Sequence, residues 1–127
     1  MITNSDFNKL CEKIMKIDAK VRFVGIINQN GKLVGGGMKM GISPIGDKND
    51  DESLYCDIVT RAKMRQRFDD VLGRVSFAMS YREKVVIMSF PVKDNLLLLS
   101  AEKEIDLSTT PFKVLDLLHH RFTGHAA

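Results

Sequence analysis

The chain has 127 residues, of which 44% are hydrophobic and 28% are charged, and its formal net charge is +3. These values are typical of one globular domain over residues 1–127, and they exclude wholesale disorder. The charge is too small to indicate nucleic-acid binding, and no apolar run approaches the roughly 20 residues that span a membrane. Because the amino terminus lacks the features of a signal peptide, we expect a cytoplasmic protein with reduced cysteines.

The first predicted element is a helix. Apolar residues recur at helical spacing from about residue 5 to residue 19, with lysines and asparagine between them. Thr3 together with Asp6, or alternatively Ser5, offers a side-chain oxygen for the free amides of the first turn.

A β-hairpin follows this helix. The sequence VRFVGIIN, residues 21–28, is apolar on both faces of a strand. Asn30-Gly31 comes next, and this pair is the strongest short hairpin signal because it adopts positive φ at little cost. The following segment KLVGGGMKM is a weaker strand, which we place at a sheet edge.

Three consecutive glycines, Gly35, Gly36 and Gly37, lie in that weaker strand. They match neither phosphate-binding pattern, because the preceding Gly31-Lys32 opens a strand rather than a helix and the dinucleotide spacing fails. We interpret them as a bulge or a close backbone approach. They also form a possible site of ligand approach.

A long middle helix is predicted after an acidic, mobile loop over residues 41–52. Asp50 or Asp51 would cap the helix, which should run to about Leu72 and end at Gly73. Several arginines and lysines in its second half indicate a solvated surface, ahead of contact with an acidic partner and of nucleic-acid binding.

The middle helix has two displaced apolar faces. The first face contains Leu54, Tyr55, Ile58, Val59 and Ala62. The second contains Met64, Phe68, Val71 and Leu72. A helix that only covers its own sheet needs one apolar face. Two explanations stay open: the second face contacts a second copy, or the helix bends near Lys63 and follows the same sheet.

Three strands and a helix complete the chain. The alternation of Val75, Phe77 and Met79 predicts an edge strand, and KVVIMSFPV and LLLLSAE predict strands buried on both faces. Thr110 would cap the last helix, with Pro111 at its first position. Hairpin connections then give an α+β fold of order α-β-β-α-β-β-β-α, with one five-stranded antiparallel sheet in the order 2-1-5-4-3 and helices on both faces.

This topology resembles the profilin-like superfamily and most closely the Roadblock/dynein-light-chain domain. The stretch RFVGIINQNGKLVGGG resembles that family's opening hairpin, while the motifs elsewhere are weak. The chain is also similar to small proteins of ammonia-oxidising archaea, a resemblance that implies no activity. The Roadblock resemblance implies a non-catalytic module that pairs through the middle helix and third strand and serves as a platform for small GTPases or motor complexes.

No residue pattern supports catalysis, a metal site or a cofactor. Asp47, Asn49 and Asp51 begin like a calcium loop, but the glycine and glutamate that such a loop needs are missing. His119, His120 and His125 lack a partner at ligand spacing and form a polar tail. Cys11 and Cys56 occupy apolar-periodic helix positions, so we expect both in the core.

We therefore expect a homodimeric interaction module with no membrane or nucleic-acid partner and a possible small-GTPase partner. The predicted interface consists of Met64, Phe68, Val71, Leu72, Val75, Phe77 and Met79. The alternative is a PAS-like small-molecule sensory domain, in which the three glycines and the 41–52 loop would form an entrance to a cavity.

Overall fold

The computed structural model describes residues 3–119. The helices and strands are α1 (Asn4–Met15), β1 (Val21–Ile27), β2 (Leu33–Met38), α2 (Lys48–Arg65), a 3₁₀ turn (Gln66–Phe68), α3 (Asp69–Leu72), β3 (Ala78–Tyr81), β4 (Val86–Val92), β5 (Asn95–Ala101) and α4 (Thr110–Leu118). The strands form one antiparallel sheet in the order β2-β1-β5-β4-β3, which confirms the predicted fold. None of the helices in this part of the chain is long and apolar enough to cross a membrane.

The central strands β1, β5 and β4 are buried on both faces because helices cover each side of the sheet. On one side, alternate residues such as Val24, Leu97 and Met88 form a core with helices α1 and α4. On the other side, Phe23 and Leu98 belong to a smaller cluster that packs against α2. The sheet is therefore the middle layer of three.

Helix α1 begins as predicted and ends earlier. The Asp6 N–H donates to the Thr3 hydroxyl (3.2 Å) and the Asp6 carboxylate accepts from the Thr3 N–H (2.9 Å), which forms a capping box. The helix ends at Met15 rather than residue 19, because the Asp18 carboxylate accepts from the Lys20 N–H (2.8 Å) and turns the chain into β1.

The caps of α2 and α4 differ from those predicted. Helix α2 starts at Lys48, and its cap is Asp47 rather than Asp50 or Asp51: the Asp50 N–H donates to the Asp47 carboxylate at 2.8 Å. The predicted 41–52 loop is therefore shorter. Thr109 rather than Thr110 is the cap residue of α4.

The β1–β2 hairpin is confirmed, with a wider turn than the Asn-Gly pair alone. The turn starts at Asn28, whose side-chain oxygen accepts the N–H groups of Asn30 (2.9 Å) and Lys32 (3.0 Å). Gly31 has φ +74°, and a Cβ on it would lie 2.8 Å from the Cys56 sulfur. This glycine therefore adopts the positive φ that the turn needs, and its lack of a side chain lets α2 pack against the turn.

The glycines of β2 allow a close approach of helix α1, as the close-approach interpretation predicts. A Cβ on Gly35 would lie 2.7 Å from the Phe7 Cβ of α1, and one on Gly36 would lie 2.8 Å from the Cys11 sulfur of α1 and 2.2 Å from the Val24 carbonyl oxygen of β1. The Gly36 N–H donates to the Asn8 side-chain oxygen at 2.7 Å. The backbone of Gly35 and Gly36 thus contacts helix α1 of the same chain.

The substitution Gly36→Ala should therefore destabilise the fold. The new Cβ collides with backbone and φ is +76°, so we expect a loss of about 2–4 kcal/mol in the free energy of unfolding. Gly41→Ala is the matched control, since Gly41 has φ +82° and no atom within 4 Å of a Cβ; it should cost about 1 kcal/mol. Urea unfolding measures both, and equal losses would contradict the close approach.

Candidate interaction surface

The middle helix is interrupted, whereas the sequence predicts one helix to Leu72. Helix α2 ends at Arg65, a 3₁₀ turn follows, and Phe68 leaves helical geometry with φ −103° and ψ 3° before the short α3. Gly73 ends α3 with φ +84° and donates its N–H to the Asp69 carbonyl (2.8 Å). A break does exist, three residues beyond Lys63.

The first apolar face of α2 packs on the sheet as predicted. Val59 is buried there, and Tyr55, Ile58 and Ala62 are half-buried against the same cluster. Tyr55 stacks on Phe23, with 6.2 Å between ring centroids. This contact holds the amino-terminal half of α2 over β1 and β5.

The second apolar face does not follow the sheet after the break. Its four residues, which we call the apolar stripe, are Met64, Phe68, Val71 and Leu72. Val71 and Leu72 are 82% and 79% exposed, and Phe68 is 48% exposed with the Arg67 guanidinium 4.8 Å from its ring centroid. Within the described chain, this stripe is therefore largely exposed.

The other three predicted interface residues occupy different environments. Strand β3 begins only at Ala78, which pairs with Ser89 of β4. If β3 extended back to Ser76 in the same register, Ser76 would lie opposite Pro91, which has no N–H to donate. Val75 is half-buried beside a cavity of about 580 Å³. Phe77 is half-buried against Phe90 and Phe112, and Met79 is 37% exposed on β3.

The two edges of the sheet differ in their accessibility. On the β2 edge, Asn8 accepts the Gly36 N–H, and Gly36 and Gly37 have φ +76° and +158°, which departs from regular strand geometry. Strand β3 is the opposite edge, and its sequence AMSY has neither a charge nor a proline. Charges, prolines, irregular geometry and short length are the usual protection of an edge, and of these β3, with four residues, has only its short length. Strand β3 therefore remains available for pairing.

The three glycines of the predicted ligand approach, Gly35–Gly37, differ in how much space surrounds them. Helix α1 lies against Gly35 and its Asn8 accepts the Gly36 N–H, while a Cβ on Gly37 would meet no atom within 4 Å. An apolar cavity that residues of the predicted 41–52 loop help to line lies on the other side of the sheet. It has a volume of about 340 Å³ and is bounded by α2, by the loop that includes Pro44 and Ile45, and by the sheet. We call it the α2 cavity.

Two groups at the α2 cavity have shifted pKa values. Burial raises the pKa of Asp51, and the carboxylates of Asp50 and Asp47 raise it further. Burial, with the Asp51 charge as a second cause, raises the pKa of Tyr55. The carboxylates at the start of α2 thus raise each other's cost of ionisation beside this cavity.

Among residues 3–119, no three His, Cys, Asp or Glu side chains lie close enough together to hold a metal ion. His119 lies within this range, while His120 and His125 lie outside the described residues.

The two cysteines differ. Cys11 is buried as predicted, and its burial raises the pKa of the thiol to about 12. Cys56 is exposed, so its predicted place in the core is wrong. Its sulfur lies 3.9 Å from the Asn30 carbonyl oxygen, because this side of α2 contacts the hairpin turn rather than the sheet.

Thiol labelling should distinguish the two cysteines. The folded protein should react with Ellman's reagent at one thiol per chain, Cys56, because burial and a raised pKa keep Cys11 protonated and shielded. Unfolding in guanidinium chloride should release the second thiol. The variant Cys56→Ser is the control and should show no fast reaction; rapid modification of Cys11 would contradict its buried position.

Solved structures share this fold. A Roadblock/LC7 domain from Streptomyces avermitilis superposes with a TM-score of 0.67 at 9% identity, over 89% of this chain and 92% of that one. The gliding protein MglB from Thermus thermophilus gives 0.68 at 13% identity, over 92% and 88%. MglB from Myxococcus xanthus gives 0.66 at 16% identity, over 95% and 98%. The chain therefore has a Roadblock/LC7-like fold.

The sequence matches the family described as "Family of unknown function (DUF6659)" over residues 2–125, and the chain belongs to that family. No curated protein matches the sequence. The similarity to proteins of ammonia-oxidising archaea stays a prediction, as does the PAS-like alternative.

Sequence reasoning did not find the role of Asn8. This residue lies among exposed polar residues of α1, and nothing in the spacing of that helix distinguishes it from its solvated neighbours. The α2 cavity was also not located, because its walls come from strands, a loop and a helix that are far apart in the sequence.

Proposed function

We propose that the chain is a non-catalytic protein-interaction module that works as a homodimer. Two copies join through β3 and through the apolar stripe, Met64, Phe68, Val71 and Leu72. The observation that carries the proposal is the open β3 edge together with this largely exposed stripe. Apolar side chains exposed to this degree in one contiguous segment are typical of surfaces that a partner covers.

The unequal edges favour β3 as the pairing strand. Two identical edge strands that pair antiparallel are related by a two-fold axis, which is the commonest symmetry of dimers. Strand β2 is a poor candidate, because Asn8 occupies the Gly36 N–H and helix α1 lies against Gly35. Pairing of β3 would join the two sheets into one.

The charges of α2 support a second copy as the partner. Helix α2 runs antiparallel to β3. Asp51, near the start of α2, lines the same cavity as Arg82, which follows the end of β3. Arg65, at the end of α2, lines the same cavity as Ala78, at the start of β3. A two-fold axis at β3 therefore sets the first half of α2 beside the second half of the partner's helix. The amino-terminal end, with its cap, contains Asp47, Asp50 and Glu52 against the single base Lys48, and the carboxyl-terminal end contains Lys63 and Arg65, while Asp57 and Arg61 pair with each other at 2.8 Å. Opposite charges then face each other.

The dimer would present a platform for a further protein. The Roadblock resemblance implies a small GTPase as the partner, and we propose a small GTPase or another signalling protein. The support is the fold shared with Roadblock/LC7 domains and MglB. A structure titled "MglB with tetrameric arrangement" has a TM-score of 0.68 at 14% identity, over 91% of this chain and 87% of that one.

Size-exclusion chromatography with light scattering should give about twice the chain mass of 14.3 kDa. The variant Val71→Glu should shift the protein toward the monomer, because a desolvated unpaired carboxylate opposes burial of the stripe. Met40→Glu is the matched control, since Met40 is 95% exposed and lies outside the stripe. A wild-type protein that stays monomeric at high micromolar concentration would refute the dimer.

The dimer should also weaken as salt is added. If acidic and basic halves of α2 face each other, screening reduces their attraction, because the Debye length falls from about 30 Å at 0.01 M salt to about 3 Å at 1 M. Sedimentation equilibrium at rising NaCl should show an increasing dimer dissociation constant. A dissociation constant that decreases with salt would instead indicate a contact dominated by apolar burial.

A further inference from the structure

The α2 cavity is a partly open, largely apolar space at one end of the sheet. Its volume of about 340 Å³ lies within the range of small-molecule sites. Its apolar walls include Phe23, Ile45, Leu54, Tyr55, Ile87 and Leu98. The floor comes from three neighbouring strands, so it is held by the buried core rather than by loops alone.

Four charged residues line this cavity, and two of them are already occupied. Arg22 donates from Nη2 to the Ser43 carbonyl oxygen at 2.9 Å, which ties the covering loop to β1. The Asp50 carboxylate accepts the Asp47 N–H at 3.0 Å as part of the helix cap.

The two remaining charges are unpaired. Within residues 3–119, the side chains of Asp51 and Arg82 make neither a hydrogen bond nor an ion pair. They belong to different elements, since Asp51 lies in the first turn of α2 and Arg82 follows β3. The cavity thus offers one free carboxylate, one free guanidinium and an apolar interior.

We propose that the α2 cavity binds a free amino acid with an apolar side chain. Its ammonium group donates to the Asp51 carboxylate, its carboxylate accepts from the Arg82 guanidinium, and its side chain packs against Tyr55 and Leu98. This ligand matches both free charges and leaves the net charge of the site unchanged. The site goes beyond the proposed dimer, because all of its residues come from one chain.

The state of Asp51 agrees with this assignment. Burial, and after it the carboxylates of Asp50 and Asp47, raise the pKa of Asp51 and so add to the cost of its ionisation. A cation in contact with it would offset that cost. Tyr55 is protonated at neutral pH and burial raises its pKa further, so its hydroxyl is a hydrogen-bond donor among the residues that line the cavity.

Isothermal titration calorimetry tests the proposal with L-phenylalanine, L-leucine and L-methionine. At least one of the three should bind. Phenethylamine lacks the carboxylate and hydrocinnamate lacks the ammonium group, so each should bind at least about tenfold more weakly than phenylalanine, as loss of a charged hydrogen bond predicts.

Two variants locate the binding. Asp51→Asn and Arg82→Ala should each weaken amino-acid binding by about tenfold or more. The matched controls are Glu52→Gln and Lys84→Ala, which are exposed neighbours that do not line the cavity; they should bind like the wild type. Circular dichroism confirms that each variant is folded.

Three results would overturn the proposal: no binding of any of the three amino acids, equal binding of the analogues that lack one charge, or binding unaffected by both Asp51→Asn and Arg82→Ala. The Val71→Glu variant should retain amino-acid binding. If the protein proves to be a monomer, the test of amino-acid binding still applies. If no amino acid binds, the proposed dimer is not contradicted.

Discussion

The close contact between helix α1 and strand β2 determines which edge of the sheet is open. Gly35 and Gly36 have no side chains, so α1 lies directly against their backbone, and Asn8 accepts the Gly36 N–H that a further strand would need. Because buried or paired edges do not recruit new strands, only β3 remains available. The apolar stripe, the charge distribution of α2 and the proposed dimer all depend on this asymmetry.

The break between α2 and α3 connects the fold to the proposed interface. The first half of α2 is held on the sheet by Tyr55 and Val59 and by the hairpin turn, where Lys63 donates to the Gln29 carbonyl oxygen at 3.2 Å. Beyond Arg65 the chain leaves the sheet, and Val71 and Leu72 face outward. One continuous segment thus has an internal part and an external part, which explains its two displaced apolar faces.

Much of the fold is predictable because hydrophobic period and turn residues are local properties. The strand order follows from hairpins and from strands apolar on both faces, and the structure confirms it. The residue that caps α2 is the one whose carboxylate reaches a free amide of the first turn. Several aspartates lie close together there, so the sequence alone does not distinguish Asp47 from Asp50. The exposure of Cys56 and the role of Asn8 depend on contacts between distant segments, which periodicity does not describe.

Hydrogen–deuterium exchange at several protein concentrations tests the central claim most directly, because it observes each edge separately. We predict that amides of β3, residues 78–81, become protected as concentration rises, while amides of β2, residues 33–38, do not change. Protection that grows at β2, or an absence of any concentration dependence at β3, would contradict pairing through the open edge.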